Sequence, residues 1–133
     1  MPVVLDASAV VGLALDGEAS DAAQRMLDHT VAHGGVVPTL FWYELRNALL
    51  MAERRGRITP DGVAAFLADV ALLPIAVDDL PRDAVVLQLA RQHGLTVYDA
   101  TYLELAMRIG APLATLDAAL QVAAQRAGVV TVG

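Results

Sequence analysis

Four acidic residues in this 133-residue chain stand apart from the rest by their surroundings. Asp6 ends the apolar run Val-Val-Leu-Asp-Ala-Ser-Ala, and Asp117 follows another in Pro-Leu-Ala-Thr-Leu-Asp. Asp99 lies in Leu-Thr-Val-Tyr-Asp-Ala-Thr, after a short extended run and at the start of a helix. Glu44 sits inside an apolar helix, with Leu40, Phe41, Asn47 and Ala48 at i±3 and i±4, a poor place for a solvated glutamate. Singly, each aspartate suits a helix N-cap, and Glu44 suits an ion pair with an arginine. Jointly they suggest something else. Carboxylates converging in one crevice cannot all stay ionised without a counter-charge. Oxygen donors without histidine or cysteine select a hard cation, Mg2+ or Mn2+. The chemistry such a site implies is phosphodiester hydrolysis by metal-activated water.

The elements that must position these groups alternate between short β-branched runs and longer helical patterns, the signature of βαβ units around a parallel sheet. Strands are expected at Val3 to Leu5, Gly35 to Val37, Ile75 to Val77, Leu113 to Thr115 and Val129 to Val132. Helices are expected from Ser8 to Leu15, Glu18 to Ala32, Thr39 to Arg55, Thr59 to Pro74, Pro81 to His93, Tyr98 to Ile109 and Asp117 to Ala127. Thr39 and Thr59 suit N-caps, and Gly56, Gly94 and Gly110 suit helix ends. The expectation is one α/β domain over residues 1–133, a short parallel sheet of four or five strands flanked by helices. In such sheets ligands bind beyond the carboxyl ends of the strands, where Asp6 and Asp117 fall.

Composition narrows the chemistry further. The chain has no cysteine, which excludes thiol nucleophiles, zinc fingers and iron–sulfur centres and fits a reducing compartment. All nine basic residues are arginine, so P-loop and Schiff-base chemistry have no lysine to use. A net charge of −6 argues against capture of nucleic acid by the whole surface. A bound divalent ion reverses that field locally. The N-terminus lacks a basic region ahead of its apolar run, and no run approaches the ~18 residues of a bilayer span. A cytoplasmic protein with no membrane association is expected.

The four motifs in their order and spacing resemble the PIN domain, most closely the short VapC-type toxins of bacterial toxin–antitoxin pairs. The opening strand-Asp-x-Ser, Tyr-Glu-Leu-Arg-Asn, Tyr-Asp-Ala-Thr-Tyr and Ala-Thr-Leu-Asp carry the resemblance over essentially the whole chain. It implies that Asp6, Glu44, Asp99 and Asp117 form the catalytic, metal-binding quartet, with Ser8, Thr115 and Asn47 in support. It also implies a magnesium-dependent endoribonuclease, with Mn2+ as a possible substitute, acting on RNA and restrained by a cognate VapB-like antitoxin. A homodimer is a further implication. Two other readings remain: a PIN-like RNA-processing nuclease without an antitoxin, and a non-catalytic nucleic-acid or protein-binding module. A haloacid-dehalogenase phosphatase wants Asp-x-Asp where this chain has Asp6-Ala7-Ser8.

Beyond the quartet, the helix from Thr39 to Met51 has apolar residues around nearly its whole circumference. Either its own chain encloses it, or a subunit or partner covers one side. Arg54, Arg55 and Arg57 at its end complement the helix dipole or engage RNA phosphates. Glu104 and Arg108 read as a solvated i,i+4 pair, and Asp78 and Asp79 as a turn. His29, His33 and His93 fall near helix ends, where imidazole meets the dipole favourably.

Overall fold

The computed structural model describes residues 1–15 and 20–133. Five parallel strands form one sheet in the order β3-β2-β1-β4-β5: β1 (Val3–Leu5), β2 (Gly35–Pro38), β3 (Ile75–Asp78), β4 (Leu113–Ala114) and β5 (Thr131–Val132). The helices are α1 (Ala7–Leu15), α2 (Ser20–His33), α3 (Leu40–Arg54), α4 (Pro60–Val70), α5 (Asp83–His93), α6 (Val97–Ile109) and α7 (Ala118–Arg126). The expected helix start at Glu18 lies outside the described residues.

Strand β1 is central and fully buried, which is why its sequence is an unbroken apolar run rather than an alternating one. It pairs with β2 through Val3 and Gly35 on one side and with β4 through Leu5 and Ala114 on the other. The chain steps outward through β2 and β3, then returns to the other side of β1. Between β1 and β4 the strand order reverses, and open parallel sheets bind ligands at the carboxyl ends of such a switch point. Asp6 and Thr115 are the first residues past those two ends.

Local signals set most helix boundaries. The Thr59 hydroxyl caps α4 by accepting from Gly62 N–H, and Pro60 takes the first helical position. Gly94 and Gly110 end α5 and α6 in the left-handed conformation, at φ 63° and 66°. Some expected boundaries move. Thr39 has helical backbone angles and makes no capping hydrogen bond. Helix α4 ends at Val70, ahead of Pro74, and α5 begins at Asp83 because Pro81 and Arg82 remain extended or irregular.

The helix enclosed on all sides is α6, where every residue from Ala100 to Ala106 is buried. Helix α3 buries only the stripe Phe41, Leu45, Leu49 and Ala52, at ordinary core-facing spacing. Its outer face carries Tyr43, Arg46, Asn47, Leu50 and Arg54. This corrects the all-round apolar reading of α3 and leaves Tyr43 and Leu50 as its exposed large apolar side chains.

Glu104 and Arg108 also depart from expectation. Glu104 is 1% exposed, and Arg108 clamps it at 2.7 Å while reaching Asp78 at 2.6 Å. Both arms of the guanidinium bind Asp78, and Glu104 also accepts the Arg82 backbone N–H at 3.3 Å. The pair is therefore no solvated helix ornament. It ties α6 to the end of edge strand β3 and to the start of α5, and Asp78 is a strand residue rather than a turn.

Candidate active site

Asp6 is held by the loops that leave β1 and β4. Its Oδ2 accepts from Thr115 Oγ1 at 2.6 Å and from Ser8 Oγ at 2.7 Å. The two hydroxyls lie 3.2 Å apart, and Ser8 Oγ and Thr115 Oγ1 accept from the Leu116 and Asp117 N–H groups. Both hydroxyls bind the same oxygen, so neither takes up Oδ1. Burial pushes the Asp6 carboxyl above its ordinary range despite these bonds, and the nearby Asp117 adds to the rise.

Asp117 caps α7, its Oδ2 accepting from Leu120 N–H at 2.8 Å. Capping and site membership coexist here, because the cap uses one oxygen. Asp99 is no cap: Thr96 caps α6 by accepting the Asp99 N–H at 3.1 Å. The Asp99 carboxyl is raised by burial first, then by Asp6 and Asp117. Glu44 on α3 accepts from the Tyr102 hydroxyl of α6 at 2.7 Å, and its carboxyl is raised by burial, then by Asp6 and Asp99. The Tyr102 hydroxyl is pushed far above its usual range by burial and by Asp6 and Glu44, so it stays protonated and donates.

Like-charge influence thus links Asp6 with Asp117, Asp99 with Asp6 and Asp117, and Glu44 with Asp6 and Asp99, each smaller than the effect of burial. Among the described residues none of them pairs with an arginine, since the ion pairs are those of Arg108 with Asp78 and Glu104. Among the described residues, no group of three or more histidine, aspartate or glutamate side chains is placed to hold a metal ion. A cation held here would have to be a hard one that keeps several waters and takes only one or two carboxylates directly.

Tyr102 was inside a motif but had no role assigned to it; the signal was a buried hydroxyl on an otherwise apolar helix, which needs a partner. Gln121 was also missed, and its Nε2 donates to the Thr115 carbonyl at 2.9 Å. Asn47 lies exposed one turn beyond Glu44 on α3. Arg54, Arg55 and Arg57 are exposed at the far end of that helix, Arg54 about 15 Å along the axis from Glu44 at 1.5 Å per residue.

The raised carboxyls fix a sign for stability against pH. Folded Asp6 and Asp99 bind protons more tightly than the ordinary value of 3.8 allows, and folded Glu44 more tightly than 4.5. Their stabilising contribution is complete below those values and is lost as pH rises through the elevated folded ones. In chelator, the melting temperature is therefore expected to rise as pH falls from 7 toward about 5. Asp78 acts oppositely. Arg108 holds it below 3.8, so its contribution disappears only in stronger acid. A melting temperature that is flat or falls between pH 7 and about 5 contradicts the crowding of these groups.

The five-stranded parallel sheet with its switch point between β1 and β4 gives the fold, and a match to the PIN domain model over residues 3–125 gives the class. The chain belongs to the PIN domain family. Within it, the chain is 35% identical over 127 residues to ribonuclease VapC3 of Pyrobaculum aerophilum, covering 88% of this chain and 90% of that protein. The crystal structure of PAE2754 from Pyrobaculum aerophilum superposes with a TM-score of 0.75 at 28% identity, over 98% of this chain and 83% of that one. A chain of the VapBC2 structure from Rickettsia felis, bound to a DNA fragment from its promoter, has a TM-score of 0.66 at 15% identity. That alignment covers 98% of this chain and 97% of the other and speaks for the fold alone. No helix among the described residues is long and apolar enough to cross a membrane.

Proposed function

We propose that this chain is an endoribonuclease that hydrolyses RNA phosphodiesters with Mg2+, or Mn2+ in its place, and acts as the toxin of a toxin–antitoxin pair. The observation that carries the reading is the convergence of Asp6, Glu44, Asp99 and Asp117 without a cationic side-chain partner. The 35% identity to a ribonuclease supports the choice of RNA. A VapB-like antitoxin and a homodimer follow from the likeness to VapC proteins.

In this reading the four carboxylates hold the cation, some of them through its waters. Bound there, the cation supplies the counter-charge they lack, polarises the phosphoryl oxygen and lowers the pKa of water. Ser8 and Thr115 hold Oδ2 and so fix the rotamer of Asp6. Tyr102 does the same for Glu44, and the Leu120 N–H for Asp117. Such outer partners orient ligands and tune their basicity. Arg54, Arg55 and Arg57 contact backbone phosphates farther along the RNA strand.

Purified wild type is expected to cleave a labelled RNA in magnesium and to stop in excess EDTA. Asp6→Asn is expected to lose more than about a hundredfold in rate, because the substitution removes the central ligand charge. Expressed in cells, wild type should arrest growth and leave new RNA ends that Asp6→Asn does not. Undiminished cleavage in EDTA rejects the metal mechanism, and wild-type activity in Asp6→Asn rejects the site.

A further inference from the structure

Past β4 the chain turns through Thr115, Leu116 and Asp117 into α7, and side chains hold this turn in place of a strand neighbour. The Leu116 and Asp117 N–H groups donate to the Ser8 and Thr115 hydroxyls, each at 3.0 Å. The Thr115 carbonyl lies beyond the last residue of β4, in a residue that is 1% exposed. A buried carbonyl without a donor costs free energy comparable to a lost hydrogen bond. Gln121 supplies the donor. Its Nε2 reaches this carbonyl at 2.9 Å, and among the described residues the carbonyl accepts no other hydrogen bond. The Gln121 backbone N–H donates to the Asp117 carbonyl at 3.0 Å, one turn back. Gln121 therefore holds both ends of the turn, Thr115 by its side chain and Asp117 by its backbone.

The Thr115 carbonyl shares a peptide plane with the Leu116 N–H that donates to Ser8. Tilting that plane disturbs Ser8 and Thr115 together, and these are the two hydroxyls that hold Asp6 Oδ2, at 2.7 and 2.6 Å. The same turn ends on Asp117. We propose that Gln121 is a positioning residue, which fixes Asp6 and Asp117 relative to one another through the Thr115 carbonyl and so sets the affinity for the cation. The Gln121 side chain bonds to neither carboxylate and acts through Thr115. The proposal rests on the nuclease reading above and adds to it a residue outside the four motifs.

The test compares wild type with Gln121→Met, which keeps side-chain length without a donor, and Gln121→Glu, which places an acceptor against the carbonyl. The control is Gln125→Met, the same change one turn farther along α7, where the side chain is exposed. Two readouts need no RNA: hydrogen exchange of the Leu116 and Asp117 amides in EDTA, and Mn2+ binding by titration calorimetry. The third is RNA cleavage against magnesium concentration. In both Gln121 variants the two amides should exchange about tenfold faster, as a locally loosened turn does. The Kd for Mn2+ and the half-saturating magnesium concentration should each rise at least about tenfold, the usual effect of removing an outer partner. The melting temperature in EDTA should fall by only a few degrees, the loss of one hydrogen bond. Gln125→Met should match wild type throughout. Added to Thr115→Val, Gln121→Met should weaken Mn2+ binding by less than the product of the two single effects, because both act through one residue. Unchanged Mn2+ affinity in both Gln121 variants overturns the proposal, whatever the amides do, and leaves the nuclease reading intact. Faster exchange throughout α7, with a melting temperature lower by more than about 10 °C, makes Gln121 a residue of the fold and equally overturns it. If wild type neither binds Mn2+ nor cleaves RNA, the nuclease reading fails, and this proposal fails with it.

Discussion

Replacing Arg108 with methionine is expected to destabilise the folded chain by about 3–5 kcal/mol, the usual loss when one partner of a buried ion pair is removed. Glu104 is 1% exposed and would keep only the Arg82 N–H at 3.3 Å as a hydrogen-bond donor. Asp78 would lose both of its guanidinium bonds at the end of β3. For a chain of this size the melting temperature should fall by roughly 10 °C or more. Methionine preserves most of the aliphatic volume, so the loss reports charge rather than a cavity. The double variant Glu104→Leu with Arg108→Met removes both buried charges and is expected to recover at least half of the loss. Urea or thermal unfolding of the three proteins decides it. A fall below about 1 kcal/mol in Arg108→Met would return the pair to the class of weak surface bridges.

Asp99→Asn is expected to cost more than about a hundredfold in RNA cleavage while leaving the metal-free fold as stable as wild type, or slightly more so. The argument is electrostatic. Asp99 carries a charge disfavoured by burial, Asp6 and Asp117, and asparagine keeps its shape without that charge. The α6 cap is unaffected, because it is the Thr96 hydroxyl that accepts, and the donor is the Asp99 backbone N–H. Ligand groups set for function commonly reduce stability in this way. A helix-capping aspartate would lose little activity on the same change. Rate and stability together therefore separate the two roles.

Much of this was legible in the sequence because local chemistry decides it. The Asp-x-Ser after β1, the cap at Asp117, the Thr59-Pro60 helix start and the glycine helix ends all follow from spacing and residue type. What escaped depended on contacts distant in sequence. The central place of β1 is set by pairings to Gly35 and Leu113, which no local run announces. Helix α6 carries the polar Thr101 and Glu104, yet both are buried. Thr101 satisfies its hydroxyl on the Val97 carbonyl at 2.7 Å, and Glu104 depends on an arginine that also needs Asp78 from β3. Helix α3 misled in the opposite sense, since Tyr43 and Leu50 count as apolar letters but face outward. The cap expected of Asp99 falls instead to Thr96, three residues earlier, whose hydroxyl accepts the Asp99 N–H.

The most direct test of the central claim, that four like charges are held together to bind a cation, is the melting temperature of wild type and Asp99→Asn in EDTA and in magnesium. On that claim magnesium would bind the folded chain better than the unfolded one, so it should raise the wild-type value by mass action and the variant's by much less. In EDTA the two should melt together, or the variant slightly higher. If Asp99→Asn instead melts several degrees below wild type in EDTA, and magnesium leaves wild type unchanged, Asp99 is a structural residue and the quartet is not a metal site.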